Sequence, residues 1–585
     1  MKRTIPLLAR MAPLGLLVLA LLAGASPGPP DPSAGADPEK SPYADKAEKP
    51  WKPTADHSKF KVLQQDFPDG PSVTKACLSC HTEAARQIMK TSHWTWICPK
   101  ARKEMGVNGI QHTVPYGKAE YIINNFCISL PSNEPRCTSC HAGYGWADKT
   151  FDFKNQYLVD CLVCHDQTGK YKKFPAGAGH PVYKKDFPKG REWPPKSGKM
   201  MPPVDLGASA RSVGKPTRRN CGTCHFFGGG GEGVKHGDMD LTLYKPHRTL
   251  DVHMNEKGVN FQCQKCHTTK DHKISGRCFE IPAYNERDFV MRGLESNLLA
   301  CESCHGKAPH DKSKLNDHTD KVSCQACHIP TLAREHPTKM WWDWSKAGKP
   351  MNGKKVIEGE VKGKKVHTFH IKKGEFIWAM NEAPEYLWYN GRMNFTLMGD
   401  KVDDTKPAEE VCVYGHGKFD KLDPTKPMVR INWCDTGYDD PKARIYPVKI
   451  HRGKQPYDPV NKSLVVPKLF PCGPDKKAAF WKSFDWGKAI KAGMKYVGAP
   501  YSGKYQFIQT CMVWPLDHMV APKEMALSCA ECHSPRGRLK KLKGFYMPGR
   551  DKSSLVDGIG LILVLLAIAG SLGHGFLRMI FRAKG

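Results

Sequence analysis

Cys77-Leu78-Ser79-Cys80-His81 is the first of eight copies of a Cys-x-x-Cys-His pentapeptide, and how that pentapeptide is read decides the fold. The others are Cys137/Cys140/His141, Cys161/Cys164/His165, Cys221/Cys224/His225, Cys263/Cys266/His267, Cys301/Cys304/His305, Cys324/Cys327/His328 and Cys529/Cys532/His533. Together they use sixteen of the twenty-three cysteines. Two thiols three residues apart reach the two vinyl groups of a haem and become thioethers, and the adjacent imidazole ligates the iron. One copy is compatible with a zinc site or a redox dithiol; eight, each ending in histidine, are not. The expectation is eight covalently bound haem c groups. The fold expected around them is a multihaem cytochrome c fold, mainly α with long irregular loops, a haem-filled core and a minor β hairpin.

The ends of the chain agree with thioether attachment, which takes place outside the cytoplasm, in the compartment where disulfides also persist. Lys2, Arg3 and Arg10 charge the start, Met11 to Leu22 is apolar, and Ala23-Gly24-Ala25 offers a cleavage site, so residues 1–25 read as a signal peptide. Residues 26–55, rich in Pro, Ala, Asp and Lys, read as a flexible linker, and 56–546 as the haem domain. Gly558 to Phe576 is nineteen residues whose one ionisable side chain is His574, long enough to span a bilayer. A transmembrane anchor at 555–577 is expected, with 578–585 as a cytoplasmic tail carrying Arg578, Arg582 and Lys584. The haem domain then lies on the periplasmic face of the cytoplasmic membrane.

The formal charge of +31 falls to +28 without Lys2, Arg3 and Arg10. It does not imply nucleic acid, because eight haems with two propionates each return about −8 when oxidised. The remainder pairs propionates, sits on an ordinary lysine-rich surface or draws anions to a cleft. The motif spacing is irregular, so this is not a repeat array. Helices are expected over Thr74–Lys90 and Lys476–Val497, and a hairpin over Lys354–Ile371. The stretch from Ile329 to Ser528 has no motif and is expected to cover the haems and contribute distal ligands.

Seventeen histidines lie outside the proximal positions His81, His141, His165, His225, His267, His305, His328 and His533. Of these, His247, His253, His310, His318, His451 and His518 are the expected sixth ligands, being near motifs or in Pro- and Gly-punctuated loops. Eight bis-histidine irons would only conduct electrons; one replaceable ligand would make the other seven its wiring. The segment Gly228-Gly229-Gly230-Gly231-Glu232-Gly233-Val234-Lys235-His236-Gly237-Asp238 suits such an exception. Its glycines let backbone lie close to a flat ring, and a buried neutral Lys235 is a ligand that substrate can displace. Seven cysteines, Cys98, Cys127, Cys278, Cys412, Cys434, Cys472 and Cys511, remain outside the motifs, so at least one is unpaired within the chain. Cys127, ten residues before the second motif, is the candidate for a thiol beside an open haem.

The eight motifs, GGGGEGVKHGD at 228–238, NNFC at 124–127 and KIHRGKQPYD at 449–458 resemble the octahaem tetrathionate reductase family of c-type cytochromes, related to hydroxylamine oxidoreductase and pentahaem nitrite reductase. The resemblance implies seven bis-histidine haems and a second haem, on Cys137 and Cys140, with a distal lysine. It places Asn124 and Cys127 beside that haem, with Lys235 as the lysine and Asp238 nearby; Lys172 and Lys173 are the alternatives. It implies reduction of tetrathionate, nitrite or hydroxylamine, with electrons drawn from a quinone pool or a membrane or periplasmic redox partner. The rival readings are a non-catalytic conduit and a hydroxylamine or hydrazine oxidoreductase. The latter needs a tyrosine cross-linked to haem, which no residue here declares.

Overall fold

The computed structural model describes residues 53–107, 110–276, 301–391, 393–412 and 418–582, the side chains of 98–116 excepted. The expected signal peptide, nearly all of the linker, the Cys98 side chain and Cys278 lie outside the described residues. The motif-bearing part of the chain consists of short helices and long loops. Some begin where the sequence supplies a cap. Asp69 accepts from the Ser72 amide to start α1, Gly70–Leu78. The single helix expected over Thr74–Lys90 is broken at the first motif and resumes as α2, Ala84–Met89. The fourth motif lies on α3, Arg218–His225, closed by a capping box between Thr217 and Asn220.

The main departure from expectation is the sheet. The motif-free stretch contains a nine-stranded sheet, of which the expected hairpin is only one edge. After an antiparallel pair near the N-terminus, β1 (Ile97–Val107) and β2 (Ile110–Gly117), the sheet contains β3 (Thr338–Asp343), β4 (Val356–Val361), β5 (Lys364–His370), β6 (Gly374–Ala379), β7 (Glu385–Tyr389), β8 (Met428–Arg430), β9 (Arg444–Asp458), β10 (Ser463–Leu464) and β11 (Gln506–Pro515). The order is β8-β11-β9-β3-β6-β5-β4, with β7 and β10 also pairing with β9. The β4–β5 turn, Lys362-Gly363, has φ of 47° and 80°, the left-handed pair a tight hairpin uses. Fifteen-residue β9 is buried at every position except Lys454. It pairs antiparallel with β11 from Val448↔Pro515 to Tyr457↔Gln506 and parallel with β3 at Arg452↔Trp341. Because β9 is covered on both faces, the alternation that marks a half-exposed strand is absent from its sequence.

Trp342 and Trp344 stack at 4.9 Å within the main apolar cluster, together with Tyr446, Ile450 and Met512. The helix expected over Lys476–Val497 is split by Phe484 (φ 53°) into Phe480–Ser483 and α4, Trp486–Val497, which Asp485 caps. Cys412 and Cys511 are buried in thiol contact, a pairing no spacing announced. The chain ends in α5, Ser554–Arg582, exposed along its length and the one described helix long and apolar enough to cross a membrane.

Candidate functional site

A metal–imidazole bond of about 2 Å and a ring radius of about 1 Å on each side put the centroids of two axial histidines about 6 Å apart. Seven proximal histidines have a second imidazole at that separation. The pairs are His57–His81 at 6.1 Å, His93–His225 at 6.1 Å, His165–His272 at 6.2 Å and His253–His305 at 6.0 Å. The rest are His267–His518 at 6.3 Å, His310–His328 at 6.3 Å and His318–His533 at 6.0 Å. In several, Nδ1–H donates to a carbonyl (His165 to Gly214, His267 to Ser275, His533 to Pro548), which leaves Nε2 as the free lone pair. The structure thus brings His253, His310, His318 and His518 opposite motif histidines. It does not do so for His247, an exposed partner of Glu335, or for His451, buried beside Phe126 at 6.0 Å. The opposing rings that sequence reasoning missed are His57, His93 and His272.

The motifs form a connected path. Thiols touch between the first and third motifs (Cys77, Cys161), the second and fourth (Cys140, Cys224), the fourth and fifth (Cys221, Cys263), and the sixth and seventh (Cys301, Cys324). Cys164 lies near Cys221, Cys266 near Cys304, and Cys327 near Cys532, which completes the line to the eighth. The second motif is a side branch off the fourth. A continuous cavity of about 2980 Å³ runs past the second through seventh motifs, room of the kind several flat prosthetic groups require.

His141 is the exception. Among the described residues no second imidazole faces it. Its ring is enclosed by Trp94, Trp96, Trp146 and Phe151 at 5.1, 5.7, 4.8 and 5.4 Å, and its Nε2–H donates to the Trp94 carbonyl at 2.6 Å. Burial pulls its basicity down to about 3. It does not line the cavity, whereas Cys137 and Cys140 do.

The glycine-rich segment closes over this same region. A Cβ on Gly228 would come 3.3 Å from Lys235 Cδ, and one on Gly230 (φ +92°) would come 2.7 Å from Cys127 Sγ. Cys127 Sγ donates to the Gly229 carbonyl at 3.1 Å, and the thiol is among the charges felt by Cys137. Asn124 Oδ1 accepts from the amides of Phe126 and Cys127 at 3.1 and 2.8 Å, so its carboxamide sets the turn that presents the thiol. Burial raises the Cys127 thiol, against the pull of Lys373, Arg136 and Lys339, so the thiolate requires help from a bound partner.

Lys235 is partly buried, with Nζ 4.4 Å over the Trp514 ring. Desolvation, with repulsion from Lys118, holds its amine well below the usual lysine range and so favours the neutral form. Its backbone is fixed by a residue the sequence did not single out. Lys449 on β9 donates to the carbonyls of Val234 (2.9 Å) and Lys235 (3.1 Å) and to Thr338 Oγ1 (2.6 Å). Lys172 is exposed, and Lys173 pairs with Asp160 at 3.0 Å and donates to the Gly143 carbonyl at 3.1 Å. Asp238 faces another motif: its Oδ2 accepts from the amides of Asp517 and His518 and from His518 Nδ1, at 2.8, 3.1 and 3.1 Å. Burial disfavours the charged His518 ring, but the Asp238 carboxylate outweighs it and raises the group to about 9, making a strongly basic imidazole.

A family model described as "Cytochrome c bacterial" matches residues 339–536. An uncharacterized protein from Archaeoglobus fulgidus is 22% identical over 251 residues, 37% of this chain and 80% of that protein. The crystal structure of octaheme cytochrome c from Shewanella oneidensis is 40% identical, covers 86% of this chain and 98% of its own, and superposes with a TM-score of 0.67. With imidazole pairs at metal-spanning distance along a continuous cavity, this chain belongs to the octahaem c-type cytochromes and carries covalently bound haem c.

Proposed function

We propose that this chain is a membrane-anchored, extracytoplasmic reductase of small inorganic oxoanions with eight haems, seven held between two histidines and the eighth, on Cys137 and Cys140, serving as the site of chemistry. The observation that carries the reading is an asymmetry among the sites: seven motif histidines have a partner ring at 6.0–6.3 Å, whereas the cavity beside Cys137 and Cys140 is lined by Lys235 and Cys127. Bound haem supplies one-electron storage and, where an axial position can be vacated, a Lewis-acidic iron.

The chain's own residues would do the rest. Lys235, whose amine desolvation pulls well below the usual lysine range, would be the replaceable nitrogen ligand of the second site. Proximal ligation by His141 would require its ring to leave the Nε2–H bond to the Trp94 carbonyl. Lys118, Arg136 and Lys373 line the cavity and bias it toward anions. Their charge also favours the anionic leaving group of a reductive cleavage. Asn124 orients Cys127, whose sulfur is placed to hold a sulfur-chain substrate such as tetrathionate; nitrite and hydroxylamine need no such contact.

Low-temperature EPR with near-infrared magnetic circular dichroism of the oxidised protein tests this. Seven bis-histidine signals plus one lysine-ligated or high-spin signal, altered in Lys235→Ala, are expected; eight bis-histidine signals would leave a conduit without a substrate site. Cys127→Ala should suppress tetrathionate turnover and spare hydroxylamine, and equal effects on both would remove Cys127 from the sulfur chemistry.

A further inference from the structure

The eighth motif and the root of the C-terminal helix are one rigid unit. His533 Nδ1–H donates to the carbonyl of Pro548 at 3.0 Å. Arg550 then clasps the segment, donating to the carbonyls of Leu539 at 3.1 Å and Phe545 at 2.8 Å and pairing with Asp551 at 2.6 Å. Asp551 in turn accepts from the Met547 amide at 2.7 Å. The helix begins at Ser554, three residues beyond the clasp, a span of at most about 10 Å. The Cys529/Cys532 site therefore cannot move far from whatever surface the helix enters.

The face around this root has the chemistry of a headgroup layer. Tyr546 is 57% exposed and Tyr438 41%, large values for side chains with no reason to face water. Tyr438 stacks on Phe545 at 5.7 Å, and Lys321 Nζ sits 4.8 Å over the Tyr438 ring. Lys540, Lys541, Lys543 and Lys552 are exposed on the same stretch. Tyrosines interleaved with lysines beside a membrane-spanning segment are what an interfacial belt requires.

We propose that this aromatic and basic face rests on the anionic surface of the bilayer, and that the eighth motif is consequently the port at which electrons enter from a bilayer-dissolved quinol. The inference rests on the reading of α5 as a membrane anchor, and not on which substrate is reduced. A quinol oxidised there would release two protons to solvent, pass its two electrons to the haems that the eighth and seventh motifs would hold, and leave as quinone. From there the contacts between motifs lead through the sixth, fifth and fourth to the second. The first motif, exposed at His81, ends the opposite arm.

The test uses the full chain in vesicles of phosphatidylcholine with and without phosphatidylglycerol, read by hydrogen exchange of residues 538–552 and by stopped-flow haem reduction with a lipid-embedded naphthoquinol. Expected is protection of 538–552 in phosphatidylglycerol vesicles relative to detergent, reduced about fivefold for each charge removed among K540Q, K541Q and K543Q. Quinol reduction of the triple variant should fall at least tenfold, while reduction by dithionite and dye-driven turnover stay unchanged. Protection equal in vesicles and detergent, or wild-type quinol reduction in the triple variant, overturns the proposal; so does protection confined to residues 53–63 by the first motif. Loss of dye-driven turnover in the wild-type protein would instead count against the reductase reading, with the membrane contact still measurable.

Discussion

Lys173→Met separates two lysines that the sequence left as rivals. The Lys173 amine is in a salt bridge to Asp160 at 3.0 Å, with both side chains almost wholly buried, and donates to the carbonyls of His141 and Gly143. Asp160 keeps three other donors, the hydroxyls of Tyr144 (2.7 Å) and Tyr171 (2.8 Å) and the Val163 amide (3.0 Å). Removing one partner of a buried pair costs about 3–5 kcal/mol, and the surviving donors argue for the lower figure. The two orphaned carbonyls, at about 1 kcal/mol or more each, are part of that figure. A local loss of about 3 kcal/mol corresponds to on the order of a hundredfold faster opening. Hydrogen exchange at the Val163 amide, read by mass spectrometry of the segment around the third motif, reports it directly. The EPR signal of the second haem should keep its nitrogen ligand. Exchange within threefold of wild type, or disappearance of the lysine-ligated signal in Lys173→Met and not in Lys235→Met, would refute the assignment of Lys173 to structure.

Gly230→Ala should push Cys127 aside, since its Cβ would lie 2.7 Å from the sulfur and its φ of +92° is strained for alanine, a cost of about 1–3 kcal/mol. Tetrathionate turnover should fall and hydroxylamine turnover hold, as steady-state kinetics on both will read. Asp238→Asn takes the carboxylate from His518 Nδ1 and lowers the basicity of that imidazole. Spectroelectrochemistry should show one haem potential rising, with the second-site signal intact. Without His57 (as Ala) the ring opposite His81 is lost, and one low-spin signal should become high-spin while turnover driven by a soluble dye persists. Lys449→Met leaves two buried carbonyls and Thr338 without a donor, about 1–3 kcal/mol for each. The lysine signal of the second site should broaden or shift although Lys449 itself ligates nothing.

The eight attachment sites were legible because thioether chemistry and proximal ligation are confined to five consecutive residues. Opposing rings are not. His272 is five residues from His267 yet faces His165, and His93 is nearest in sequence to the first motif yet faces His225. Each pairing is set by how loops cross in space, which no local spacing records. His247 failed as a candidate for the converse reason: a loop histidine close to motifs is just as well satisfied by a surface carboxylate, here Glu335. The hairpin over Lys354–Ile371 was readable because it is an edge with exposed alternation and a left-handed turn. The rest of the sheet was not, since β9 is buried on both faces and its Lys449, His451 and Arg452 look like a polar loop. The Lys235 segment stood out through its glycines, but the ring that covers its amine is Trp514 on β11, far away in sequence.

That division of labour explains why a protein built around haem attachment carries so large a sheet. Seven motif histidines each face a second imidazole, and loops tied down at both ends suffice to hold such pairs. In the function proposed above, the second site depends instead on an amine, a thiol and several cations kept at fixed separations. β9 supplies Lys449 to the Lys235 backbone, β11 supplies Trp514 to its amine, and β3 supplies Thr338 and Lys339. Asn125 Nδ2, beside Cys127, donates to the His451 carbonyl on β9 at 2.8 Å, and Trp344 at the end of β3 donates from Nε1 to the Phe126 carbonyl at 3.1 Å. Both walls of the site are thus anchored to one hydrogen-bonded lattice, the kind of support that holds a reactive constellation within a fraction of an ångström. A cytochrome with eight equivalent sites would have no comparable need for it, so the sheet is itself an argument that one site differs from the others.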